Sequence, residues 1–396
     1  MQLTEINYVK KDLPVRLKSI GMTLLVLFGG LGLIGFLINP ARASYSYLTT
    51  FLFLVSVGVG SLFLVALEYV AGADWSTPFR RVSEFLAAII PFLILLIIPL
   101  LFNMHNLFSW THKSIVNNSE ILKGKAVYLN IPFFFIRSLG ILVIWSIFYF
   151  LIIRNSRKQD LSKEQLLTSK NIKLSAGFMP VFALSLTAIS FDWIMSLEPN
   201  WFSTIFGVYF FSGTVWCALA ALTLAVVLLN ERGYLHSKIT KEHYYTLGVL
   251  LFTFTAFWGY IAFSQYLLTW YADIPDETVW FMHRWVGIWK VVSLLIVITH
   301  FIIPFFYLLS YKSKTNIKKL KFISIWILCA HYLDIYWMVM PSMNYNSQIY
   351  SFSWTDLVYP VAAIGLVILI FKSLSDKYNL LPIGDPKLKK GLDFHI

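Results

Sequence analysis

Charge and cysteine are both scarce in this chain. Only 13% of its 396 residues are Asp, Glu, Lys or Arg, against about 25% in soluble domains. A soluble protein of this length needs more polar surface than that, which excludes a cytosolic enzyme and a DNA-binding module. The two cysteines, Cys217 and Cys329, sit in apolar runs and read as buried free thiols. No Cys-x-x-Cys-His is present for covalent haem, and no cysteine cluster for Fe–S or zinc. Nucleotide signatures are missing as well: there is no G-x-x-x-x-G-K-[ST] and no G-x-G-x-x-G that opens a helix after a strand. Primary ATP-driven transport by this chain alone is therefore not expected.

What the chain does have is apolar length. Hydrophobic residues make up 58%, and the mean hydropathy is +0.69. Ten stretches reach the roughly 20 residues that a spanning helix needs: 20–38, 44–70, 82–102, 131–153, 174–196, 201–230, 242–271, 285–310, 318–342 and 354–374. The fold class expected is an all-α integral membrane protein. It comprises a short N-terminal segment (1–19), a ten-helix transmembrane domain (20–374) and a basic tail (375–396). Pro91, Pro99, Pro180, Pro304 and Pro360 fall inside spans and are read as tolerated kinks. Gly29, Gly30, Gly32 and Gly35, and Ser56 with Gly60, would allow close helix approach. The first span follows a basic segment and precedes Ala41-Arg42-Ala43, as in a signal peptide. Its apolar run exceeds a signal peptide's usual 7–15 residues, so an uncleaved membrane helix is expected.

The net charge of +12 reads as topology rather than as a nucleic-acid surface. With the N-terminus in the cytoplasm, the inner segments hold 25 of the 32 Lys and Arg and the outer segments five. Both termini are thus expected to be cytoplasmic, with lipid and not nucleic acid as a partner. Trp110, Trp193, Trp201, Trp270, Trp280, Trp285, Trp289, Trp337 and Trp354 all fall near the predicted outer face. They read either as an interfacial belt or as a docking surface for an extracytoplasmic partner.

Ionisable groups inside spans cost several kcal/mol unless paired or hydrated, which makes them informative. They are Glu68, Glu84, His300, His331, Asp334, Asp192, Lys290 and Arg137. Asp334 follows His331 by three residues and shares its helix face, so the two could pass protons or lock helices together. Glu68 and Glu84 flank Arg80 and Arg81 and could either pair with them or open a cytoplasmic proton entrance. Asp192 is expected to pair with Arg137 or Lys290 at similar depth. The proton-pathway candidates are therefore Glu68, Glu84, His300, His331, Asp334 and Asp192. The buried ion-pair candidates are Arg137, Lys290 and Asp192. No metal ligand or catalytic residue is assigned. His300 and His331, at equal depth on adjacent spans, leave a haem b reading open.

One stretch carries a resemblance. Residues 192–207 read Asp-Trp-Ile-Met-Ser-Leu-Glu-Pro-Asn-Trp-Phe-Ser-Thr-Ile-Phe-Gly, similar to the D-W-x-M-S-L-E-P-x-W-F-S-T-x-x-G stretch of the ActF subunit of bacterial alternative complex III. A second stretch, Ile274 to Trp280 followed by Arg284-Trp285, also resembles that family. The complex is a quinol:cytochrome c oxidoreductase, and its ActF and ActC subunits resemble the NrfD/PsrC-type membrane subunits of nitrite and polysulfide reductases. The resemblance implies two four-helix bundles plus two extra helices in a bacterial cytoplasmic membrane. It implies an ActC-like paralogue, haem c and Fe–S subunits, and a terminal oxidase as partners, with quinol bound in the complex. It implies no cofactor on this chain, a scaffolding and proton-conducting role, and redox catalysis elsewhere. The rivals are direct quinol binding, with His331 and Asp334 accepting protons, and a stand-alone secondary transporter.

Overall fold

A computed structural model describes residues 10–344 and 352–395. The N-terminal segment before residue 10 and the final residue of the tail lie outside the described residues. Ten helical segments are long and apolar enough to cross a membrane. They are α1 (Arg16–Ile38), α2 (Pro40–Ala71), α3 (Thr77–Phe102), α4 (Ile131–Ser162), α5 (Gln165–Leu197), α6 (Phe206–Glu231), α7 (Lys241–Ala272), α8 (Ile288–Leu309), α9 (Ile317–Met343) and α10 (Thr355–Lys377). No strand occurs among the described residues. The chain is an all-α, multi-pass membrane protein.

Helices α4 and α5 run well past their apolar stretches, to Ser162 and from Gln165. Their polar ends keep the backbone hydrogen-bonded without adding hydropathy. Pro180 and Pro360 sit inside continuous helices. Pro91 and Pro99 interrupt the backbone hydrogen-bond ladder of α3, but Ile89 and Ile97 stay right-handed helical, so the span runs on through both as one segment. A proline lacks the N–H for the i−4 bond and tolerates the first turn of a helix, where that donor has no partner anyway.

Helices α2 and α6 form the centre and are the most buried of the ten. A Cβ on Gly60 of α2 would lie 2.7 Å from the Ala218 Cβ and the Thr214 carbonyl oxygen of α6, so only glycine permits this approach. Contacts link α2 to α3, α3 to α4, α4 to α5 and α5 back to α2; others link α6 to α7, α7 to α8, α8 to α9 and α9 back to α6. Helix α1 packs along α10, with Gly32 and Gly35 seated on Tyr359 and Thr355. Gly29 and Gly30 meet nothing within 4 Å and are not part of that seam.

One end of the bundle is closed by charge. Arg80 binds Glu68 at 3.0 Å and Asp385 at 2.6 Å, and Arg81 binds Glu84 at 2.7 Å and Asp160 at 2.6 Å. Ser156 donates to the other Glu84 oxygen at 2.6 Å. Asp385 belongs to residues 378–395, which fold back over this end with Leu381, Leu388 and Leu392 buried. The N-terminal segment meets the same end, where Lys11 donates to the Gly233 carbonyl at 2.9 Å.

Two sequence expectations change here. Cys217 is buried, but Cys329 is an exposed free thiol on the outward side of α9. Of the nine tryptophans read as lying near the outer face, only Trp270, Trp285 and Trp354 are exposed; the other six are interior packing, not a belt. Position along a span gives depth, and depth alone does not say which way a ring points.

Candidate functional site

The strongest candidate lies deep in the bundle, where α8 and α9 face α2, α6 and α7. His300, His331 and Asp334 are all fully buried there. His300 stands in a π-helical turn, Val297–Ile302, just before Pro304. Such turns widen the helix and are frequent at functional sites. Its ring packs on the indoles of Trp258 and Trp216, at 3.8 and 4.1 Å between centroids.

The pairing differs from the one that sequence spacing suggests. Asp334 does not hydrogen-bond His331, its neighbour on α9. One Asp334 oxygen accepts from the Tyr209 hydroxyl at 2.5 Å, and the other lies 3.7 Å from His300 Nε2. His331 Nε2 bonds instead to Ser56 Oγ at 3.1 Å. Gly213 makes room for that ring, since a Cβ there would sit 2.7 Å from His331 Cε1. Both His300 ring nitrogens, His331 Nδ1 and Asp334 Oδ2 have no hydrogen-bond partner among the described residues. Buried polar atoms left this way are uncommon and call for an explanation.

The other candidates separate from this cluster. Asp192 accepts two hydrogen bonds from Arg137, at 2.8 and 3.0 Å. That guanidinium also lies over the rings of Tyr128 and Phe133. Lys290 does not join this pair; it is exposed, with its ammonium 5.3 Å above the Trp285 ring. Glu68 and Glu84 are held in the arginine network. Glu68 is 12 residues from Ser56 on α2, which is about 18 Å along the axis.

A second knot joins the two stretches that carry the resemblance. Glu198 accepts from Arg284 at 2.9 Å and from Ser342 at 2.8 Å, and its other oxygen meets His283 at 2.9 Å. Arg284 also donates to the carbonyls of Trp280, Trp337 and Met338, and its guanidinium lies 3.7 Å over the Trp280 ring. Trp201 stacks on Trp280 at 4.8 Å. The Glu198 carboxylate therefore ties its own loop to His283-Arg284 and to Ser342.

Burial alone would raise the Glu198 carboxyl. The Arg284 charge and the bonds from His283 and Arg284 outweigh it and hold the group down to about 2. A depressed acid stabilises the fold above its ordinary value, 4.5, and loses that contribution as pH falls through about 2. Thermal stability in detergent is thus expected to fall between about pH 5 and pH 2, by on the order of a few kcal/mol from this group. Glu198→Gln should be less stable at neutral pH and should lose that part of the slope. Parallel pH curves for the two proteins would contradict the assignment.

Tyr209, Gly213, Trp216 and Trp258 are site residues that the sequence reading did not single out, and Ser56 was not read as a site residue. Only Ser56 had a signal, as a small residue on a packing face. The chain matches no protein-family model and no curated protein.

Proposed function

We propose that this chain is an integral membrane subunit of a respiratory quinol:cytochrome c oxidoreductase of the alternative complex III type. Its role there is scaffolding and proton transfer, and the electron-carrying haem c and Fe–S groups belong to partner subunits. The observation that carries the proton role is the fully buried His300–Asp334 approach at 3.7 Å, with unpaired nitrogen and oxygen atoms on both sides. A buried carboxylate with no cation bound to it needs a proton, and neutral imidazoles nearby can receive one.

Within this reading, protons move among His300, His331, Asp334 and Tyr209. Asp192 serves as half of an ion pair with Arg137. Glu68 and Glu84, each held by arginine, seal the cytoplasmic end rather than open it. The ring of contacts through α2–α5 and the second through α6–α9 support two four-helix bundles, with α1 and α10 as the extra pair. The basic end carries both the N-terminal segment and the folded tail, which supports cytoplasmic termini in a bacterial inner membrane.

Deletion of the chain is expected to abolish quinol-dependent cytochrome c reduction in isolated membranes, and a restored copy should return it. Unchanged activity in the deletion would contradict the assignment.

A further inference from the structure

We infer that His300, His331 and Asp334 form a binding site for a divalent first-row transition metal within the membrane. One ligand atom from each residue lies within 4.8 Å of the others, and all three residues are fully buried. Two neutral imidazoles and one carboxylate are a donor set used by zinc and by non-haem iron. The His300 Nε2 to Asp334 Oδ2 separation is 3.7 Å. Ligand atoms about 2.0–2.2 Å from a tetrahedral ion stand roughly 3.4 Å apart. That pair needs only a few tenths of an ångström of adjustment, and the widest spacing needs a side-chain movement of about an ångström or more.

The outer contacts are those that metal ligands need. Tyr209 donates to the Asp334 oxygen that does not face His300. Ser56 binds His331 Nε2, which leaves Nδ1 as the free lone pair when the hydroxyl accepts. Such partners orient ligands and are worth about 10–100-fold in metal affinity. A divalent ion would also supply the positive charge that the buried carboxylate otherwise lacks. Metal and proton use the same lone pairs, so the site holds one or the other. The metal site does not require the respiratory complex.

The test uses the full chain, purified in mild detergent and stripped with a chelator. Added Co2+ is expected to bind with about one equivalent and to give visible ligand-field absorption, which Zn2+ then removes. His300→Ala and Asp334→Asn should each weaken binding at least tenfold. Ser56→Ala removes only an outer contact and should weaken it about tenfold, which serves if the ligand variants fail to fold. The absence of a ligand-field band in the wild-type chain, or equal binding by the folded variants, would overturn the site. That outcome leaves the proton role standing. Loss of the respiratory assignment would in turn leave Co2+ binding unaffected.

Discussion

Asp334→Asn is expected to assemble normally and to lose coupled proton movement. The amide keeps nearly the same shape and can still accept from Tyr209, whose hydroxyl lies 2.5 Å from the carboxylate. What it cannot do is take up a proton at the oxygen facing His300. Positioned acid–base groups contribute about 10²–10⁴-fold to proton-transfer steps, so at least a tenfold loss of proton release during quinol turnover is expected. The readout is proton release per electron in sealed vesicles, with subunit composition checked alongside. Unchanged release at full turnover would remove Asp334 from the pathway.

Arg81→Met should produce the largest stability loss. Arg81 is fully buried and binds both Glu84 and Asp160. Removing it leaves two interior carboxylates, with Arg80 still 3.7 Å from Glu84. Breaking one partner out of a buried ion pair typically costs about 3–5 kcal/mol, because the orphaned charge stays desolvated. A clear fall in melting temperature in detergent is expected. Arg81→Met combined with Glu84→Gln should recover part of the loss, since the second change removes one of the orphaned charges. A single variant within about 0.5 kcal/mol of wild type would show that water already reaches this network.

The spans were legible because a bilayer demands about 20 apolar residues in a row. Their ends were less so. The polar ends of α4 and α5 continue as helix with no apolar signal. The buried ionisable residues stood out for the same reason that they are costly in lipid. Their partners did not. Arg137 and Lys290 lie at similar depth, yet only Arg137 faces Asp192. Asp334 shares a face with His331 but approaches His300 from the neighbouring helix. Helix faces are hard to read here because lipid-facing and interior positions are both apolar, so the usual polar stripe is missing. The same loss of contrast hid the interior placement of Trp201, Trp280 and Trp337. It also hid Trp216 and Trp258 around His300.

The central claim, membership of a haem-bearing quinol-oxidising complex, is tested most directly by mild-detergent purification through a tag on the C-terminus. Subunit masses and a redox difference spectrum are then recorded on the product. Co-purifying c-type haem subunits with quinol:cytochrome c activity is the result expected. A lone, colourless 45.7 kDa chain that survives gentle conditions would contradict it.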